Sequence, residues 1–156
     1  MTQARMTQAP ALVRYSNPLV RRLLRLGTPM GPNTLLTVRG RRSGTPRSAP
    51  VAIAAIQGRL FVIGAYGDVN WVRNLRAAGD AELRLQGEQV HVEARELDPA
   101  AGEAFFGTTL PAFVRGLPLL GRLFVRVLFG LAAPEILHDP ARAAAIHPVF
   151  ELRHTP

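Results

Sequence analysis

The stretch from Leu35 to Leu85 constrains this chain more than any other. Thr34-Leu35-Leu36-Thr37-Val38 is a short apolar run, and Ala49 to Ile56 is a second; each reads as a strand. Between them lies GRRSGTPRSAP, Gly40 to Pro50, whose glycine, serine and proline mark a turn. Arg39, Arg41, Arg42 and Arg47 crowd that turn. Backbone N–H groups converge in such a turn, and guanidinium forks pair with phosphate oxygens in a bidentate way. A basic turn between two strands is therefore a candidate anion cradle.

The surrounding pattern predicts a small sheet with peripheral helices. Strands are expected at Thr34–Arg39, Ser48–Ile56 and Arg59–Gly64, with Gln57-Gly58 as a two-residue hairpin turn. A helix follows, capped by Asp68, running to Ala78 and stopped by Gly79. Trp71, Val72 and Leu75 would enter the core, leaving Asn70, Arg73 and Asn74 on its edge. Strands at Ala81–Gln86 and Gln89–Leu97 come next, joined by Gly87-Glu88. Asp98 and Pro99 open a helix through Phe106. Thr109 to Ala133 is apolar, interrupted by Pro111, Gly116-Leu117-Pro118 and Gly121, and predicts two short helices, the second over Leu119–Leu131. A short helix at Ala141–Ala145 and a closing strand at His147–Arg153 complete the chain. Short hairpin connections favour an antiparallel sheet, and six strands suffice to close a barrel without exposed edges.

The first eleven residues have neither a long apolar core nor a signal-peptide pattern, and read as a disordered tail of a cytoplasmic protein. Residues 12–156 are expected to form one domain. Leu12 to Leu26 reads as a helix with Asn17-Pro18 near its start. Its apolar stripe (Leu19, Val20, Leu23, Leu24, Leu26) opposes Arg14, Arg21, Arg22 and Arg25. The favoured reading packs it on its own domain; contact with an anionic membrane surface stays open.

The net charge is +8, carried entirely by arginine, which implies an anionic partner. Nucleic acid is not expected, because aromatic residues make up only 6% of the chain and the arginines are scattered outside the 39–47 cluster. There is no cysteine, so neither disulfides nor thiol chemistry arise. No dinucleotide fingerprint, phosphate-binding P-loop or serine hydrolase elbow occurs. His91, His138, His147 and His154 lack metal-ligand spacing and read as structural, so no metal is expected. An enzyme built from these residues would take its reactive atom from a cofactor.

Two blocks in this order, LLTVRGRRSGTPRSAPV and NWVRNLRAAGDAELRL, resemble the deazaflavin-dependent nitroreductase family, with a weaker echo in HPVFELR. That resemblance implies a six-stranded antiparallel split β-barrel and an α+β, mainly β, fold. It implies an oxidoreductase of actinobacterial type, passing a hydride from reduced coenzyme F-420 to a small hydrophobic acceptor of the quinone or nitroaromatic kind. The cofactor's anionic tail would suit the basic turn. By the same resemblance Arg41, Arg42 and Ser43 would hold the tail phosphate, joined by Arg47. Ser48, Ala49, Pro50, Val51 and Ala52 would run along the cofactor. Ile63, Gly64, Ala65 and Tyr66 would approach the ring, with Tyr66 the candidate catalytic proton donor. Asn70, Trp71, Val72, Arg73 and Asn74 would close the site.

This chain departs from the better-known members. Arg42 stands where lysine is usual, the loop before Trp71 is short, and residues 105–133 are more apolar. The substrate-side tyrosines have no clear match. FMN in place of the deazaflavin, or a lipid-binding role without catalysis, therefore stay open. So does a homodimer, which only the fold suggests.

Overall fold

The structure, a computed structural model, describes residues 33–85 and 87–155. The expected tail and the helix over Leu12–Leu26 lie outside the described residues. Six strands form the frame: β1 (Asn33–Arg39), β2 (Pro46–Ile56), β3 (Arg59–Ile63), β4 (Asp80–Leu85), β5 (Glu88–Glu96) and β6 (Val149–His154). They close an antiparallel barrel in the order β1-β2-β3-β6-β5-β4. β2 is long enough to serve two neighbours. Its first part, Pro46 to Ala52, pairs with β1, and Ile53 to Ile56 pair with β3. The last strand closes the ring by slotting between β3 and β5, with Val62 opposite Phe150 and Ala94 opposite Leu152. Gln57 and Gly58 both have positive φ, 51° and 74°, as the tight primed hairpin turn requires.

Alternation along the strands makes two cores. Leu36, Val62, Leu83, Val92, Phe150 and Leu152 fill the barrel. The helix α1 (Asn70–Ala78) adds Val72 and Leu75 to it, both fully buried. Gly79 ends this helix in the left-handed region at φ 73°, with its N–H donated to the Leu75 carbonyl. The expected cap is not Asp68. Val69 occupies that position and makes no side-chain cap bond, while Asp68 pairs with Arg73 at 2.9 Å and Arg76 at 2.8 Å. Two guanidinium partners attract the carboxylate more strongly than the helix amides do.

The second core lies outside the barrel, where Phe61 and Val149 meet the helical segment. That segment begins with α2 (Pro99–Ala104), capped as expected by Asp98, which accepts from the Ala101 N–H at 2.8 Å. A π-helical turn, Phe105–Thr109, then leads into α3 (Leu110–Gly116). The interruption expected at Pro111 is met by this wider turn rather than by a helix end; the Leu110 N–H reaches back to the Phe105 carbonyl. The turn aims Phe105 and Phe106 inward, with Phe105 5.1 Å from the Phe61 ring and 5.4 Å from the Phe106 ring, edge-on. Then come α4 (Leu119–Ala132), α5 (Glu135–His138) and α6 (Pro140–Ile146). Gly102 lets α2 approach α6 closely: a Cβ there would lie 3.3 Å from that of Ala144.

A buried polar link joins this helical layer to the barrel. His147 is buried before β6, its Nδ1 3.2 Å from the Gly64 carbonyl and its Nε2 2.6 Å from Glu135 Oε1. A carbonyl only accepts, so Nδ1 donates to Gly64, and Nε2 faces the Glu135 carboxyl. Burial raises the Glu135 carboxyl, but hydrogen bonds from its own backbone and from His147, with the charges of His147 and Arg142, more than offset this and lower it.

Phe106→Ala removes a fully buried ring and should cost about 3–5 kcal/mol in denaturant unfolding. A folded-state carboxyl held low stabilises the protein above the ordinary glutamate range and loses that contribution as pH falls through the lowered value. Glu135→Gln should therefore lower the melting temperature near neutrality and flatten its decline on acidification; an unchanged acid profile would contradict an ionised Glu135.

Candidate functional site

The turn between β1 and β2 is closed by its own backbone. The Gly40 N–H donates to the Thr45 carbonyl at 2.9 Å, and the Gly44 N–H to the Gly40 carbonyl at 2.8 Å. Gly44 sits at φ 68°, and Ser43 Oγ accepts from the Thr45 N–H at 3.3 Å. A Cβ on Gly40 would stand 2.8 Å from Ser43 Oγ, so glycine keeps the turn tight.

Arg41 fastens this turn to α1. Its backbone N–H and its Nη1 both donate to Asn74 Oδ1, at 3.2 and 2.8 Å, and its Nη2 reaches Asn70 Oδ1 at 3.5 Å. Asn74 is buried, not on the exposed edge that the helix pattern suggested. Two asparagines one helical turn apart thus face the turn and accept from it. Because Arg41 is engaged in this way, the cationic groups presented by the turn are Arg42 and Arg47. Both are exposed and form no ion pair among the described residues.

The segment after β3 packs against the same helix. Gly64 donates to the Pro148 carbonyl at 2.8 Å, and the Gly67 N–H donates to the Gly64 carbonyl at 2.8 Å. A Cβ on Gly64 would fall 3.0 Å from Val72 Cγ2 and 3.2 Å from the Gly67 carbonyl, so any larger residue would push the helix or the loop aside. His147 holds the Gly64 carbonyl from the other side. Tyr66 is half-buried here, and burial raises its phenol above the usual tyrosine range, so it keeps its proton at neutral pH. The strand ends at Ile63, one residue sooner than expected, and the connection to α1 runs from Gly64 to Val69.

The expected site residues therefore converge on α1 from two sides, but not all present side chains to a ligand. Val51 and Val72 belong to the barrel core. On β2, Ala49 shares the face of Val51, whereas Ser48, Pro50 and Ala52 lie on the opposite face; Ser48 Oγ is 2.8 Å from Thr37 Oγ1. The side chains of Ser48 to Ala52 therefore alternate between the two faces of the strand. Trp71 packs partly buried against the barrel core, Ile63 packs on the outer core, and Arg73 is held by Asp68. Sequence reasoning missed the anchoring role of Asn74 and the link from His147 to Glu135. The first had a signal in the Asn70–Asn74 spacing; the second joins residues 12 apart through tertiary packing.

Two concavities lie elsewhere. One of about 350 Å³ sits between α3, α4 and α5, mostly apolar, with Arg115, Arg122 and Arg126 among its lining. The other, about 370 Å³, lies beside Gly79 and includes Asp80, His91 and Arg153.

No curated protein matches the sequence. Among solved structures, a Bacteroides thetaiotaomicron protein given a provisional role in 5-nitroimidazole antibiotic resistance is 8% identical, with a TM-score of 0.52 over 87% of this chain and 80% of its own. That likeness shows a shared fold. An F420-H2-dependent reductase, FDR-A, is 17% identical, with a TM-score of 0.46 over 78% of this chain and 94% of its own. The heme storage protein HutZ from Vibrio cholerae is 13% identical, with a TM-score of 0.48 over 89% of each chain. The model of one family, described as F420H(2)-dependent quinone reductase, matches residues 12–113. That span contains the basic turn, β1 to β5 and α1, and with it the chain belongs to the F420H(2)-dependent quinone reductase family.

Proposed function

We propose that this protein is a reductase that binds reduced coenzyme F-420 at the Gly40–Arg47 turn and passes its hydride to a small, flat, hydrophobic acceptor of the quinone or nitroaromatic class. The observation that carries the reading is the division of labour among the arginines. Arg41 is spent on Asn70 and Asn74, which leaves Arg42 and Arg47 exposed on a turn of fixed shape. The donor set fits a phosphorylated, polyanionic tail: two guanidinium groups and the Ser43 hydroxyl on one short turn.

The cofactor supplies the hydride. The chain's own part is to bind, orient and shield. Arg42 and Arg47 hold the tail, with arginine at position 42 offering a planar fork where lysine would offer a point charge. The Gly64–Tyr66 backbone, pinned by Pro148 and His147, gives the ring a rigid edge. Tyr66 stays protonated and serves as the proton donor to the reduced acceptor. Asn70 and Asn74 keep the turn seated on α1.

Three outcomes test this. Arg42→Ala and Arg47→Ala should each weaken coenzyme F-420 binding by about 1.5–3 kcal/mol, read in a fluorescence titration with FMN in parallel; wild-type affinity in both variants would sink the cradle. Asn74→Ala leaves the Arg41 N–H groups without their acceptor. It should cost about 1–3 kcal/mol of stability and weaken binding as well, although the side chain need not touch the ligand. Tyr66→Phe should lower kcat for quinone reduction with little change in cofactor affinity, and unaltered turnover would remove it as the donor.

A further inference from the structure

The helix α4 carries an apolar face that nothing in the fold uses. Leu119, Leu120 and Leu131 are 79%, 80% and 83% exposed, and Leu123, Phe124 and Val127 are about half exposed. Positions 120, 123, 124, 127 and 131 recur at helical spacing, and with 119 they span roughly 140° of the surface at 100° per residue. The opposite side of the same helix, at Val125 and Phe129, packs on the outer core. A contiguous apolar stripe of this kind marks an interaction surface rather than scattered exposed residues.

The charge around it selects the partner. From Ala104 to Pro134 there are three arginines, Arg115, Arg122 and Arg126, and no acidic residue. Arg126 flanks the stripe directly in helical register, and Arg122 lies on the same flank with its Nε donated to the Leu117 carbonyl at 2.8 Å. Covering the stripe with a second copy would bring two arginine sets together. The other amphipathic segment of the chain, 12–26, is an equally poor cover, because it holds four arginines and no acid. An anionic surface with an apolar interior satisfies both halves of the face at once.

We propose that α4 docks in the plane of an anionic phospholipid bilayer, with Leu119, Leu120, Leu123, Phe124, Val127 and Leu131 in the acyl boundary and the guanidinium groups at the headgroups. α4 has 14 residues, about 21 Å at 1.5 Å per residue, against an acyl core of about 30 Å. It lies in the interface and does not cross, and no described helix is long and apolar enough to cross a membrane. This inference is independent of the cofactor reading.

Sedimentation of the full chain with phosphatidylcholine vesicles, with and without phosphatidylglycerol, tests it. Wild type should bind only the vesicles containing phosphatidylglycerol, and release as salt rises. The triple variant Leu119→Gln, Leu120→Gln, Leu131→Gln changes three exposed side chains, so it should melt as wild type does, yet lose at least about tenfold in vesicle affinity. Arg115→Gln with Arg126→Gln should lose on the order of fivefold per guanidinium and show a shallower salt dependence. Loss of less than about threefold in the triple variant, or no wild-type binding to the anionic vesicles at low salt, would overturn the proposal. So would a wild-type dimer in light scattering that the triple variant converts to monomer, because the face would then be an interface between copies.

Discussion

Insertion of β6 between β3 and β5 is the constraint on which the rest of the molecule depends. These residues are last in sequence, yet they close the ring. Phe150 and Leu152 complete the barrel interior while Val149 faces the helical layer, so one short strand belongs to both cores. The segment just before it does further work. The Pro148 carbonyl accepts from Gly64, and His147 grips the Gly64 carbonyl while reaching Glu135 on α5. Closure of the barrel, position of the helical layer and shape of the loop after β3 are thus set together.

The candidate site inherits its rigidity from that frame. α1 rests on the barrel through Val72 and Leu75 and, from its other face, receives the basic turn through Asn70 and Asn74. A turn presenting several guanidinium groups would repel itself and move. Committing Arg41 to two amide oxygens removes one of them from that competition and fixes the direction of the chain on either side. The close-packed glycines at positions 40 and 64 have the same effect on the backbone: a Cβ would meet the Thr45 carbonyl at 3.1 Å at the first and the Gly67 carbonyl at 3.2 Å at the second.

Much of this was legible in the residues. Strand positions followed from short apolar runs bounded by turn residues, and Asp98, Gly79 and Gln57-Gly58 punctuate the chain as their local chemistry dictates. The barrel followed from counting hairpin-linked strands. Where the reading failed, a tertiary partner had outbid a local one. Asp68 left the helix cap for two arginines. Asn74 looked like an edge residue until the turn covered it. Pro111 looked like a stop, but a π turn absorbs it because Phe105 and Phe106 gain a core by doing so. The short α5 had no periodicity to reveal it; its place is set by Glu135 meeting His147. The site was legible as a cluster of charge, not as a division between arginines that hold the fold and arginines left for a ligand.

The most direct test is to follow the backbone amides of the full chain by nuclear magnetic resonance while adding coenzyme F-420. The account predicts that the shifts concentrate in Gly40 to Arg47, in Gly64 to Tyr66 and in Asn70 to Asn74, and that Arg42→Ala diminishes them together. Shifts confined instead to the apolar concavity between α3, α4 and α5, with the basic turn unmoved, would contradict it.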